Sequence, residues 1–230
     1  MRVETLFVDA GGVLVFPNWE RVQDTLKRHG LAVDARRMAA AEPLSRRETD
    51  TAEAVAASTD RSRVETYWKR IFVLAGIPLG PPTEAARNEL EEYHARHNLW
   101  ESVPGDVAPA LRRLRGQGLR LAVISNSNGT LRAKLDRLGL TALFDLVVDS
   151  TEEGVEKPDP RIFELALERL GAHAGKTVHV GDLYHVDVAG ARAAGIVGVL
   201  LDPLGLYPNA DCRRFSSLSK VADALAESAL

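Results

Sequence analysis

Val3-Glu4-Thr5-Leu6-Phe7-Val8-Asp9-Ala10-Gly11-Gly12-Val13-Leu14 is the stretch whose reading decides the fold. The run from Val3 to Val8 is short, β-branched and nearly continuously apolar. Apolarity that does not alternate predicts a strand buried on both faces, as in a parallel sheet. A carboxylate and two glycines follow at once, the composition of a tight turn. In open α/β sheets, ligands bind at the carboxyl ends of the strands, which is where Asp9 then stands.

Four further runs of the same kind lie downstream, at Leu119–Ile124, Leu143–Val148, Thr177–Val180 and Ile196–Leu200. Helical patterns separate them. Val107–Arg115 ends near Gly116 and Gly118, Leu131–Leu138 at Gly139, Arg161–Leu170 at Gly171 and Val186–Ala194 at Gly195. Asp159-Pro160 supplies an N-cap followed by a first-turn proline. This alternation predicts right-handed crossovers and a doubly wound, Rossmann-like parallel α/β sheet.

The segment from Pro17 to Glu101 has no convincing strand. It reads as helices over Trp19–His29, Arg36–Ala41, Arg61–Ala75 and Glu84–His97, with the Pro-Gly-rich stretch Gly76–Pro82 joining the last two. The expected organisation is an α/β core of residues 1–16 and 102–230, interrupted after its first strand by a helical insert of residues 17–101.

Composition agrees with a globular chain. The 230 residues are 45% hydrophobic and 27% charged, and the net charge of −3 provides no basic field for nucleic acid or an anionic membrane. The apolar runs are too short to span a bilayer, and the broken run near the start is not a signal peptide. Cys212 is the single cysteine, so no disulfide forms within the chain, and a cytoplasmic location is expected. Nothing in the sequence sets an oligomeric state.

Polar residues fall in order just after the buried runs. Asp9-Ala10-Gly11-Gly12 follows the first, Ser125-Asn126 the second, Lys157-Pro158 comes somewhat after the third, and Gly181-Asp182 follows the fourth, with Asp187 five residues on. Each alone is an ordinary turn, cap or surface residue. Together they suggest phosphate handling. Carboxylates are hard ligands for Mg²⁺, the backbone after Ser125 can hold phosphate oxygens, Lys157 can screen negative charge, and a carboxylate can act as a nucleophile.

In these motifs the sequence resembles the haloacid dehalogenase superfamily, whose members are mostly phosphatases. The resemblance covers the whole chain. It rests on Leu6-Phe7-Val8-Asp9-Ala10-Gly11-Gly12-Val13-Leu14, Val123-Ile124-Ser125-Asn126, Lys157-Pro158-Asp159-Pro160 and Val178-His179-Val180-Gly181-Asp182 through Asp187. The helical insert stands where the family's C1-type cap lies. The resemblance implies a Mg²⁺-dependent hydrolase acting on a small phosphorylated molecule. Asp9 would be the nucleophile and a metal ligand, with the Gly11 carbonyl, Asp182 and Asp187 completing the metal site. Ser125 and Asn126, with the Gly11-Gly12 backbone, would bind the phosphoryl group, and Lys157 would steady nucleophile and phosphate.

Gly11 departs from the pattern. The family's phosphatases carry a second Asp there as general acid and base, a function typically worth about 10²–10⁴-fold. Another group could supply the proton, with His94, His97 and His185 as candidates by type; the leaving group could need little help; or the chain could bind phosphate and Mg²⁺ as a regulatory module without turnover. The superfamily's 2-haloacid dehalogenases also lack this Asp but are metal-independent and carry Tyr in its place. Its phosphonatases use a cap lysine, for which only Lys27 and Lys69 are available. Outside the superfamily, the first turn has no G-x-G-x-x-G and Ser125 no G-x-S-x-G. Trp19, Tyr67, Trp68 and Trp100 of the insert read as packing residues.

Overall fold

The computed structural model describes residues 2–227, without the side chains of residues 60–62. Pro17–Glu101 form one compact unit, and the chain on either side of it forms the other.

The chain enters through β1 (Thr5–Val8), turns, and reaches the two-residue β2 (Phe16–Pro17). Five helices follow: α1 (Trp19–Arg28), α2 (Ala35–Thr49), α3 (Ala52–Ala56), α4 (Asp60–Ala75) and α5 (Pro81–His97). The short β3 (Trp100–Ser102) pairs with β2 in a two-stranded sheet, so strand pairing occurs only at the edges of the helical block. The chain continues through α6 (Val107–Gly116), β4 (Arg120–Ser125), α7 (Leu131–Arg137), β5 (Leu146–Asp149), α8 (Ser150–Glu153), α9 (Pro160–Leu170) and β6 (Thr177–Gly181). After one turn of π-helix over Tyr184–Val188 come α10 (Ala189–Ala193), β7 (Val197–Leu201), β8 (Arg213–Phe215) and α11 (Leu218–Ala226).

The six strands of the main sheet run in the order β5-β4-β1-β6-β7-β8, and every pair is parallel. β1 is therefore central. Val8 is in register with Val123 on one side and Val180 on the other, and Ser125 with Asp149. This brings Asp9, Ser125, Asp149 and the Gly181-Asp182 turn to one edge. Connections leave β1 toward β4 and β5, then cross to β6 and β7, so the order reverses beside β1, at the switch point where such sheets bind ligands.

Both faces of the sheet are covered, which is why its strands lack alternation. Phe7, Ala122, Ile124 and Val148 pack with Ile162, Phe163 and Ala166 of α9 and with Ala191 of α10. Leu6, Val8, Leu121 and Val123, which point the other way, are also fully buried. In the helical unit, Val22, Leu26, Met38, Trp68, Ile71 and Phe72 form a separate core.

Several features depart from the sequence reading, the short helices α3 and α8 among them. β8 and α11 were not expected, because Arg213-Arg214-Phe215 carries no apolar run; it is an exposed edge strand, where charged side chains prevent further pairing. The helix expected to stop at Ala41 runs through Pro43 to Thr49. An interior proline costs roughly 3 kcal/mol. Here α2 packs along α4 and buries Met38, Ala41, Glu42 and Ser45, and that burial outweighs the local preference.

Candidate functional site

Asp9 directly follows β1, and the chain then turns back sharply. The Leu14 and Val15 amides both donate to the Ala10 carbonyl at 2.9 Å, and the Gly12 amide donates to that of Val15 at 3.0 Å. Gly12 adopts φ 74°, the left-handed conformation that glycine takes without strain. Gly11 and Gly12 thus form the tip of a tight backbone turn beside the Asp9 carboxylate.

Lys157 is the hub of the site. Its side chain is 2% exposed, and its ammonium donates to Asp9 Oδ1 at 2.8 Å and to Asp187 Oδ1 at 2.6 Å. Burial alone would lower its pKa, but the charges of Asp187 and Asp9 and their hydrogen bonds hold it above the ordinary lysine value. Asn126 fixes the lysine's backbone: its amide nitrogen donates to the Lys157 carbonyl at 2.9 Å, and its oxygen accepts the Lys157 amide at 2.8 Å. The Asn126 side chain is therefore a clamp between the second and third motifs. Ser125, 4% exposed, ends β4 beside it, with only a long 3.4 Å contact from its hydroxyl to the Asn126 carbonyl.

Asp187 sits on the π-helical turn and spends both oxygens on the chain. Oδ1 also accepts from His179 Nε2 at 3.0 Å, and Oδ2 accepts the amides of Asp182 and Leu183 at 3.2 and 3.0 Å. Burial would raise its pKa, but Lys157 and His179 pull it well below the ordinary range, so it is ionised. A carboxylate only accepts, which assigns the hydrogen to His179 Nε2. Burial lowers the His179 pKa, and the ring is neutral. Gly181 permits the approach, since a Cβ there would lie 2.1 Å from Asp187 Cγ.

Asp9 behaves differently from Asp187. Burial pushes its carboxyl above the usual range, Lys157 opposes the rise and the Asp187 charge adds to it. Asp9, Asp182 and Asp187 each bring a carboxylate oxygen within 4.8 Å of the others, and all three are buried. Three hard oxygen donors that close are the donor chemistry of a Mg²⁺ site, and the residues fit such an ion.

The structure thus joins Asp9, Lys157, Asp182 and Asp187 in one buried cluster and puts Ser125 and Asn126 on the adjoining strand end. Two contributors were not singled out from the sequence. His179 is a polar residue in the middle of a buried strand, which was the available signal. Asp149 is the last residue of β5, and its oxygens accept the amides of Gly129, Leu131 and Thr151, fixing the loop after Ser125.

The other candidates stand in the helical unit or on the surface. His94 Nδ1 accepts the Leu99 amide at 3.1 Å, and His97 stacks near Tyr93. Lys27 and Lys69 are exposed beside Asp24 and Glu65. Trp19, Tyr67, Trp68 and Trp100 pack on one another. Cys212 lies near Tyr207 in a small core cluster with Val188 and Leu200. Among the described residues, no helix is long and apolar enough to cross a membrane.

Comparison with known proteins agrees with this geometry. A family model described as haloacid dehalogenase-like hydrolase matches residues 3–195. A ribulose-1,5-bisphosphate 5-phosphatase of Halopiger xanaduensis is 45% identical over 103 residues, which is 44% of this chain and 43% of that protein. A glyceraldehyde 3-phosphate phosphatase of Methanopyrus kandleri is 36% identical over 129 residues, 56% of this chain and 55% of that one. The matched segments span about half the length of these curated relatives. The crystal structure of a HAD phosphatase from Thermococcus onnurineus superimposes with a TM-score of 0.59 at 26% identity, covering 97% of this chain and 98% of that one.

Proposed function

The chain belongs to the haloacid dehalogenase-like hydrolase family, and from that premise we propose that it is a phosphatase acting on a small phosphomonoester through a phospho-Asp9 intermediate. The observation that carries the reading is the Lys157 ammonium held between Asp9 and Asp187 at the carboxyl edge of the sheet. The names of the relatives point to phosphorylated sugars and their breakdown products as the substrate class.

In this reading an Asp9 carboxylate oxygen attacks phosphorus, the bond from phosphorus to the ester oxygen breaks, and the leaving alkoxide takes a proton. Water then attacks the phosphorus of the acyl phosphate, which releases inorganic phosphate and restores the carboxylate. Lys157 holds Asp9 in place and offsets charge as the phosphoryl group arrives. Asp187 fixes Lys157, and Asn126 fixes its backbone. Ser125 and the Gly11-Gly12 turn lie beside the nucleophile, where the phosphoryl oxygens would be received. Asp9, Asp182 and the Gly11 carbonyl would hold Mg²⁺, with Asp187 behind them. Bound there, the ion would neutralise charge and act as a Lewis acid on the phosphoryl group. Residues 17–101 are the cap in this reading.

Gly11 has no proton to give, so the leaving group is protonated from elsewhere. The same glycine favours a second reading, a phosphate- and Mg²⁺-binding module without turnover. Phosphate release from a panel of sugar phosphates, other phosphomonoesters and acyl phosphates separates the two, run with Mg²⁺, with EDTA and with Asp9→Asn as the blank. Mg²⁺-dependent release that disappears in the blank is expected. Release that survives Asp9→Asn refutes the intermediate. Binding of phosphate without release from any substrate favours the module, and metal-free halide release from a 2-haloacid favours a dehalogenase.

A further inference from the structure

α7 turns Leu131, Lys134 and Leu135 toward the core, and all three are buried. The spacing i, i+3, i+4 is that of a core-facing helical stripe, in which a lysine is out of place. Lys134 is only 4% exposed. Its ammonium makes no hydrogen bond or ion pair with any other described residue, yet the nitrogen is not sealed from solvent-accessible space. Lys157, the other deeply buried lysine, is paired twice.

Helical side chains lean toward the helix N-terminus. α7 begins just after the loop that follows Ser125, so Lys134 leans toward the sheet edge where Asp9 and Asp149 lie. The charges of these two carboxylates act on it, against a burial that pulls its pKa down to about 8. Asp149 is already engaged by three amides. A buried ammonium without a partner costs folding energy, and buried charges are ordinarily paired. No hydrogen bond or ion pair among the described residues completes the offset by these two charges, which points to an anion from outside.

We propose that Lys134 is a second cationic residue of the anion site, adding positive charge beneath the Ser125 loop that favours a phosphoryl dianion bound beside Asp9. The chemical class of the anion rests on the phosphatase reading. The competing role is structural, with Lys134 merely balancing Asp149 and Asp9.

Inorganic phosphate titrated into the wild-type protein, Lys134→Met and Lys134→Arg by calorimetry with Mg²⁺ present, together with urea unfolding of the three ligand-free proteins, decides between them. One buried charge acting on a dianion across a medium of effective dielectric ~20 predicts phosphate affinity at least ~10-fold weaker in Lys134→Met. Affinity is expected to return most of the way in Lys134→Arg, and ligand-free Lys134→Met is expected to be at least as stable as the wild type. Unchanged phosphate affinity in Lys134→Met overturns the proposal, as does a wild-type protein that binds no phosphate. Weakened binding accompanied by lost stability, with no recovery in Lys134→Arg, assigns the structural role. Wild-type binding that depends on Lys134 but is accompanied by no phosphate release from any ester sinks the phosphatase reading and leaves this one standing.

Discussion

Replacing Lys157 by Met tests the electrostatic core of the site, because the substitution keeps most of the side-chain volume and removes the charged hydrogen-bond donor. Asp9 and Asp187 would remain, 8% and 1% exposed. Asp187 keeps His179 and two backbone amides, whereas the Lys157 ammonium is the hydrogen-bond donor seen at Asp9. Breaking a buried pair by removing one partner costs about 3–5 kcal/mol. A second route to the magnitude agrees. The variant can escape by protonating Asp9, the carboxyl that burial already raises, and holding a carboxyl of ordinary pKa ~3.9 protonated at pH 7 costs about 4 kcal/mol. The expected loss in metal-free buffer at pH 7 is therefore about 4 kcal/mol.

The pH dependence gives this prediction its sign. In the wild type, Asp187 has a depressed pKa, so its contribution is present above the ordinary carboxylate value and is lost as pH falls. In the variant, Asp9 has a raised pKa, so its contribution is present at low pH and is lost as pH rises. Between pH 7 and pH 5 the Asp9 effect narrows the gap, by about 1.4 kcal/mol per pH unit while Asp9 of the variant is the group taking up the proton, and the Asp187 effect sets in only below the ordinary carboxylate value. Urea unfolding of both proteins in EDTA at pH 7 and pH 5 measures the gap. The double variant Asp9→Asn/Lys157→Met should recover at least ~2 kcal/mol, since it leaves no charge at position 9. A gap below 1 kcal/mol at pH 7, or one that stays constant or widens at pH 5, would refute the reasoning.

Two further outcomes follow from individual glycines. Gly181→Ala would place a Cβ 2.1 Å from Asp187 Cγ, against the residue that orients Lys157. A loss of about 3 kcal/mol in unfolding free energy is expected, with phosphate release falling too, and a wild-type melting temperature would contradict it. Gly11→Asp should raise the rate of phosphate release by ~10²-fold on substrates with poor leaving groups if the missing proton donor limits turnover. Equal rates on alkyl and acyl phosphates in the starting protein, unchanged by the substitution, would show that it does not.

The α/β core was legible because a parallel sheet covered on both faces writes itself as continuous apolar runs, each followed by a turn. The residues those turns carry were legible for the same reason. Asp9, Ser125 and Asp182 stand at the ends of runs that register aligns, and the structure brings Asp9 and Asp182 together with Lys157 and Asp187. What stayed hidden depends on partners distant in sequence. His179 is an interior residue of a strand until Asp187, on the following turn, folds back against it. Asn126 reads as a phosphate contact from its motif, and its clamp to Lys157 shows only in the fold. β8 has no apolar signal because it lies at the edge. The continuation of α2 through Pro43 is decided by packing against α4, which no local rule encodes.

The cluster at the sheet edge is costly as a piece of folding. Asp9, Asp149, Asp182, Asp187, Lys134 and Lys157 are all buried, and a core built of apolar side chains of similar volume would be at least as stable. The arrangement is also over-determined. Asp187 is held by four donors, Lys157 is fixed at its ammonium and at its backbone, and Asp149 fastens the intervening loop. Rigid placement of charge that folding does not need is the form taken by a site whose benefit appears only when a ligand arrives, since dipoles and charges fixed in advance need no reorganisation at the reacting centre. Four carboxylates against two lysines leave that edge negative by itself, so a dianionic phosphate would depend on the Mg²⁺ that the site fits and on the lysine charges beside it. Each positive charge near Asp9 then counts for more than it would in a neutral pocket. This is why Lys134, which makes no hydrogen bond or ion pair with any other described residue, is the residue whose removal should cost phosphate affinity without costing stability.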